Sequence, residues 1–240
     1  MNYVWSHTLM FGFFRNGSGP GVLGAEILEH LVLTGQFEVS NAHLGWASSD
    51  ADNFTTDVNE ILAWMRDADF DAKFEIELRN ISDKAKRHTQ LLGNFFGDPS
   101  KPPSPVVHVY MDGEAFWKEG VRSPHRDGLE AFNRFTVLCS HLRPTYAAII
   151  QTYELDSPMN LIEYPNSGGF FDFYLGADLP GKLVAQARSL YEGAYISDLE
   201  SGIYISTTKW FNPESIEIKS EKVSNELGRK IGNILQFDKA

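Results

Sequence analysis

The sequence predicts an α+β fold with one mostly antiparallel sheet flanked by helices. Segments with strand-like alternation recur irregularly between segments with helical spacing, which differs from the regular order of a parallel α/β fold. The strand signal is clearest at Lys73–Leu78, where apolar and charged residues alternate, and the helix signal at Asp127–Leu142. A chain of 240 residues with 42% hydrophobic content can fold as a single domain over 1–240, with the proline-rich stretch 98–105 as an alternative boundary.

The N-terminal half is predicted to alternate strands with helices. Apolar residues recur at helical spacing between Ala25 and Leu33, and Gly35 stops that helix. The other predicted elements are a strand within Tyr3–Phe14, a strand over Phe37–Trp46, a helix capped by Thr55 or Thr56 and running to Met65, the strand Lys73–Leu78, and a turn over Asn80–Asp83 followed by a short helical piece to Leu92.

The C-terminal half is predicted to hold five strands and three helices. The strands are Val106–Met111, Tyr146–Tyr153, Gly169–Leu175, Ala194–Ser197 and Ile203–Thr208, and the helices are Asp127–Leu142, Leu179–Leu190 and Ser220–Leu235. Because a strand points alternate side chains to opposite faces, the aromatic run 170–174 cannot face one way only. One of its faces is therefore expected to meet either a helix or a partner.

The most informative feature of the chain is an acidic segment, residues 50–77. It carries nine acidic residues against two basic ones, a net charge of −7 out of −11 for the whole protein. Apolar and aromatic residues are interleaved with these acids, so the segment is expected to fold. A folded surface with a strong negative field is suited to attracting a basic partner.

Composition also limits the classes of partner and the compartment. A pI near 5.1 disfavours direct binding of nucleic acid and of anionic membrane surfaces. The N-terminal sequence lacks the basic region and cleavage site of a signal peptide, and no apolar run approaches the length of a membrane span. A soluble, cytoplasmic protein is therefore expected.

No motif in the sequence indicates catalysis or a cofactor. Cys139 is either a nucleophile beside His141 or a buried small apolar residue, and its apolar surroundings favour the second interpretation. The glycine-rich loop 17–21 lacks the spacing of a nucleotide-binding loop. No two of the seven histidines stand one helical turn apart, as a local zinc site requires. The sequence therefore predicts no catalytic residue, no metal site and no cofactor.

From about Phe70 onward the sequence resembles the immunity protein 52 family of bacterial polymorphic-toxin and type VI secretion systems. The resemblance lies in Leu142–Ala147, in Gly168–Leu175, in Leu199–Lys209 and in Phe211–Glu214 before an amphipathic C-terminal helix. It extends to an earlier order of elements: Phe74–Leu78, Asn80, Asp83, Gly93 and Val106–Met111. The resemblance implies a non-enzymatic antidote to a cognate secreted toxin, commonly a nuclease with a restriction-endonuclease-like fold. It assigns no binding residues.

The sequence therefore predicts an immunity protein that neutralises a toxin by stoichiometric binding. A nuclease has a basic cleft, which an acidic protein can occupy or border. The acids predicted to bind the partner are Asp50, Asp52, Asp57, Glu60, Asp67, Asp69 and Asp71, with Trp46 or Trp64 as a buried aromatic anchor. The alternative is that these acids form an ordinary solvated face and that both tryptophans belong to the core. One alternative is a small hydrolase or transferase whose site is assembled from distant residues such as His108, His125 and Asp127, and another is an adaptor of a secretion apparatus.

Overall fold

The computed structural model describes most of the chain, and its elements divide between two compact units. The described residues are 9–48, 52–81, 88–94, 105–111, 124–150, 155–163, 170, 172–207 and 221–237. The N-terminal unit is Gly12–Asp112, and the C-terminal unit comprises Met1–Phe11 with Gly113–Ala240. The first strand, β1 (Leu9–Phe14), crosses this division along the chain.

The N-terminal unit contains five further strands in the order β3-β2-β4-β5-β6. Each neighbouring pair among them is antiparallel, and β2 pairs with β4 over most of its length, with Ala42 opposite Ile76. The strands are β2 (Phe37–Trp46), β3 (Asp52–Thr55), β4 (Ala72–Asn80), β5 (His88–Gly93) and β6 (Val107–Met111).

Two helices and a short 3-10 helix pack on one face of this sheet. They are α1 (Pro20–Leu33), α2 (Val58–Ala68) and the 3-10 helix Asp69–Asp71. Phe74 of β4 is fully buried and marks the covered face, since a side chain added at Gly24 of α1 would touch both its ring and Met65 of α2. Strict alternation in β4 then sends Glu75 and Glu77 to the other face.

The C-terminal unit contains strands in the order β7-β8-β10-β9, again with antiparallel neighbours. These strands are β7 (Tyr146–Ile150), β8 (Asp172–Gly176), β9 (Tyr195–Leu199) and β10 (Gly202–Ser206). The helices are α3 (Pro124–Leu142), α4 (Pro158–Glu163), α5 (Gly181–Leu190) and α6 (Glu221–Phe237). Phe132 and Phe135 of α3 meet the ring of Tyr204 edge-on, with centroids 5.0 and 6.0 Å away, which joins this helix to the sheet.

Three buried tyrosines tie loops of the C-terminal unit to its core. The hydroxyl groups of Tyr146, Tyr174 and Tyr191 donate to the backbone carbonyls of Asp156, Ser201 and Phe170, respectively. Each of these residues is at most 1% exposed, and the carbonyl gives its buried hydroxyl an acceptor. Burial raises the pKa of all three phenols, that of Tyr174 to about 12.

The fold class predicted from the sequence is confirmed: the fold is α+β, with antiparallel strands and flanking helices. The strand Phe37–Trp46 has the predicted bounds, and the helix that begins at Pro124 ends at the predicted Leu142. The short helical piece predicted to reach Leu92 is wrong, because residues 88–93 form β5. Three described elements were not predicted, namely β3, α4 and the 3-10 helix Asp69–Asp71.

The predicted single domain over 1–240 stays a prediction. The contacts divide the chain near Asp112, whereas nearly all of the proline-rich stretch 98–105 lies outside the described residues. In the part of the chain that the structure describes, no helix is both long and apolar enough to cross a bilayer.

Candidate functional site

The structure distributes the predicted partner-binding residues over two faces of the N-terminal unit. Trp46 and Trp64 lie on the helix-covered side, where both are half-buried and their rings meet edge-on with centroids 5.5 Å apart. Asp52 lies on the opposite side. It shares a face of β3 with Phe54, and Phe54 stands opposite His43 of β2, which points away from the face of Trp46 because the two are three residues apart. Asp50 falls outside the described residues.

The acids around the start of α2 are exposed and bonded to neutral groups. Asp57 is the N-cap of α2, and its Oδ1 accepts from the backbone N–H groups of Asn59 and Glu60 at 2.9 and 3.3 Å. The prediction that Thr55 or Thr56 caps this helix is therefore wrong. Thr55 instead donates its hydroxyl to Glu60 Oε2 at 2.8 Å.

The acids at the end of α2 support the local structure. Asp69 Oδ1 accepts from the backbone N–H of Val22 at 3.3 Å, at the start of α1. Asp71 accepts from the backbone N–H of Ser48 at 3.0 Å and from its hydroxyl. Asp67 is exposed on α2. Asp69 and Asp71 therefore accept hydrogen bonds from within the protein, which the sequence alone does not indicate.

The start of α1 passes so close to the end of α2 that glycine is required. A Cβ at Gly21 would lie 2.2 Å from the carbonyl oxygen of Met65, and one at Gly19 would lie 2.5 Å from the backbone nitrogen of Phe70. The residue that faces these glycines, Asp69, has φ 35°, which residues with a side chain seldom adopt. The glycines of loop 17–21 therefore allow α1 to pack closely against the end of α2. The Asp69 carboxylate occupies the position at the start of α1 where an anion would bind.

Over β2, β3 and β4, the face of the sheet opposite the helices carries acids, Lys73 and one exposed aromatic ring. We call His43, Asp52, Phe54, Glu75 and Glu77 the charged face. His43 lies opposite both Phe54 and Glu75 in the strand registers. Its ring stacks on Phe54 at a centroid distance of 4.7 Å, and its Nε2 lies 2.9 Å from Asp52 Oδ2. Phe54 remains 70% exposed.

The three arginines of the N-terminal unit that the structure describes are paired with acids outside the acidic segment. Arg15 forms a bidentate pair with Glu26, with both N–O distances 2.7 Å. Arg66 pairs with Glu29 at 2.7 Å, and Arg79 pairs with Glu38. Several described acids of the segment instead accept from neutral donors, as Glu75 does from Gln90 at 2.9 Å, and Asp52 lies beside a histidine. Within the described ranges, no lysine or arginine forms an ion pair with these acids.

Apart from His141, which is exposed, the residues considered for catalysis are buried or lie beyond the described side chains. Cys139 is fully buried, and burial raises the pKa of its thiol, which keeps it protonated. His108 is 6% exposed, and burial lowers its pKa from 6.5 to about 4. His125 and Asp127 belong to the backbone of α3, but their side chains lie outside the description. In the described part of the chain, no three potential ligands cluster in a way that would hold a metal ion.

The C-terminal unit contains a buried carboxylate that the sequence analysis did not single out. Asp172 is 6% exposed and accepts from the hydroxyls of Ser206 and Tyr204, the latter at 3.4 Å. Every residue of β8 is buried, so both faces of this strand are packed, and the aromatic stretch of residues 172–174 presents no surface to solvent. In the sequence, only the high proportion of aromatic residues in this stretch indicates the arrangement.

The comparisons with known proteins add little to this geometry. No family model matches the chain, and no curated protein matches it. Among solved structures, the chain is similar to the Pseudomonas aeruginosa T6SS protein PA0821, with a TM-score of 0.44 and 10% sequence identity over 94% of this chain and 73% of that chain. A likeness of this size carries no argument about function.

Proposed function

We propose that this protein is a non-enzymatic immunity protein that binds a cognate secreted toxin in the cytoplasm and neutralises it stoichiometrically. The observation that carries the proposal is that, among the described residues, no lysine or arginine forms an ion pair with the acids of the acidic segment. Several of these acids accept from neutral donors and Asp52 lies beside His43, while Arg15, Arg66 and Arg79 pair with acids elsewhere. A negative field that the described cations do not pair with is available to a basic partner.

The toxin is proposed to be a nuclease, because a nuclease must present a basic cleft to phosphates. The resemblance of the second half to the immunity protein 52 family supports the same class of partner. Binding needs neither turnover nor a cofactor, and it would act by covering the surface that the toxin uses for its substrate.

The experiment starts from the neighbouring open reading frame. Its product is co-expressed with this protein, the complex is purified, and the stoichiometry is measured by light scattering and calorimetry. We expect a complex of defined stoichiometry and rescue of cells from the growth arrest caused by that product alone. A neighbour with a metabolic role, or a toxic neighbour that neither binds nor is neutralised, would overturn the proposal.

A matched pair of variants tests whether charge carries the binding. Glu60→Gln with Asp67→Asn neutralises two exposed acids of α2, and Glu26→Gln with Glu29→Gln removes the same amount of charge from two acids that are already paired. We expect the first pair to slow association and the second to change it little. Equal effects of both pairs would remove the electrostatic argument.

A further inference from the structure

We propose that strand β3 is the docking edge for an extended, basic segment of the protein partner, which adds to the sheet as a further strand. This inference rests on the proposed function, since it names the surface and the binding mode for that partner. It places recognition at Asp52–Thr55. The exposed acids Glu60 and Asp67 of α2 then contribute only long-range attraction.

The position of β3 in the sheet provides the edge. Among the strands that the structure describes, β3 has a hydrogen-bonded neighbour on one side only, strand β2. Three of its four residues are exposed, namely Asp52, Asn53 and Phe54. The outer side of an edge strand presents backbone donors and acceptors, which an extended peptide can pair with.

The exposed ring at the centre of β3 favours binding over simple protection of an edge. Short strands with charges commonly discourage unwanted pairing, and Asp52 fits that role. Phe54 does not, because a ring that is 70% exposed adds apolar surface to the edge. Its ring stacks on that of its cross-strand neighbour His43, and the next strand would place a side chain on the other side of it.

The side chains of the charged face predict the pattern of the incoming strand. Asp52 and Phe54 are two residues apart on one face, so the residues opposite them in a new strand would also be two apart. Opposite charges and aromatic or β-branched pairs are the favourable cross-strand neighbours. The partner segment should therefore carry an arginine or lysine and an apolar residue separated by one position.

Charge also decides between a foreign segment and a second copy of this chain. No lysine or arginine occurs between Ala47 and Met65, and this stretch contains four acids. Pairing of two β3 strands would bring two copies of this surface together, with repulsion between them. A basic segment removes that repulsion and gains attraction from the same acids.

Peptide probes separate strand addition from general attraction. Short capped peptides of alternating arginine and threonine, arginine and proline, and glutamate and threonine are titrated into the full-length protein, and amide NMR shifts are followed. The two arginine peptides have equal charge, but proline cannot donate to a sheet ladder. We expect the arginine–threonine peptide to shift the amides of residues 52–55 and to bind about tenfold more tightly than the arginine–proline peptide. Equal binding of the two, shifts confined to α2, absent binding, or dimerisation of the free protein through β3 would each overturn the inference.

Variants then connect the edge to the natural partner. Phe54→Ser is expected to weaken binding of the neighbouring gene's product about tenfold, as loss of a central aromatic contact does. Phe70→Ser is the matched control, because Phe70 is 55% exposed but lies in the 3-10 helix. A partner that binds wild type and Phe54→Ser equally well would overturn the inference and leave the proposed function standing. A product that binds neither protein would overturn the proposed function, while the peptide titration would still decide whether β3 accepts a strand.

Discussion

His108 is a buried histidine of β6 whose protonation opposes folding. Burial lowers its pKa from 6.5 to about 4, so the folded protein holds the ring neutral while the unfolded chain takes up a proton at higher pH. The stabilisation from this residue is present above pH 6.5 and is lost as the pH falls toward about 4. A shift of this size corresponds to about 3 kcal/mol of unfolding free energy.

Replacement of this histidine should flatten the acid side of the stability profile. We expect the difference in unfolding free energy between neutral pH and pH 4, measured with urea, to be smaller for His108→Leu than for wild type. Leucine has no proton to bind, so any intrinsic destabilisation should appear equally at both pH values. An unchanged difference between the two pH values would show that His108 does not govern acid sensitivity.

Asp69 and Asp67 are neighbouring acids that should respond very differently to truncation. Asp69 accepts from the backbone N–H of Val22 at the start of α1, whereas Asp67 is exposed on α2. We expect Asp69→Ala to lower the unfolding free energy by about 1 kcal/mol, as loss of a helix cap does. Asp67→Ala should change it by no more than about 0.5 kcal/mol. Thermal unfolding of both variants distinguishes these outcomes, and equal values would refute the capping role.

At the scale of elements, the contact of β5 with β4 depends on the absence of a side chain. A Cβ at Gly93 would lie 2.4 Å from the ring of Phe74, which is itself fully buried beneath α1. We expect Gly93→Ala to destabilise the protein by about 1 to 3 kcal/mol, because a packed core resists extra volume. Gly181→Ala at the start of α5 is the control, since nothing lies within 4 Å of that position, and it should be neutral or stabilising. Urea denaturation measures both, and a neutral Gly93→Ala would show that the ring can move away.

Some elements could be predicted from local pattern, and others depend on distant pairing. Strand β4 alternates buried and half-buried residues through Leu78, and this pattern is visible in the sequence. Strand β5 has no such alternation, since Leu91 and Leu92 are both buried. Pairing with β4 on one side and with β6 on the other fixes its extended conformation. The residues of β5 alone do not contain this information, and their pattern predicts a short helical piece instead.

The edge strand β3 was missed for a related reason. Asp52 and Asn53 are residue types that strands avoid, and the predicted cap at Thr55 assigned the stretch to a helix start. Pairing with β2 over four residues forms the strand regardless of that preference. The sequence shows that this stretch contains an aromatic residue and acids, but it does not show that they share one face of the sheet.

At the scale of the whole molecule, association with the partner should depend on salt. The chain carries a net charge of −11, and the acidic segment contributes most of it. We expect the on-rate with the neighbouring gene's product, measured by stopped flow, to fall about tenfold between about 0.05 and 0.5 M salt, because screening shortens the range of attraction. The off-rate should change much less. An on-rate independent of salt would contradict the electrostatic proposal.

From the sequence, the site could be predicted as a concentration of negative charge, but the surface that carries this charge could not. Counting residues assigns a net charge of −7 to a stretch within the N-terminal unit, because net charge does not depend on folding. The side that each acid occupies depends on strand register, which places Asp52 opposite the face of Trp46. Register is set by pairing between residues far apart in sequence, and no local pattern contains it.

The three tyrosines of the C-terminal unit that donate to loop carbonyls give this protein an optical signature. Tyr146, Tyr174 and Tyr191 are three of nine tyrosines, and burial raises the pKa of each phenol. In an alkaline titration followed by phenolate absorbance, solvent-facing rings should ionise first, near their ordinary pKa of about 10. The buried rings should respond only when the C-terminal unit opens, so their part of the signal would rise abruptly and return with a lag on neutralisation. The absorbance curve would thus report the integrity of this unit without any attached label.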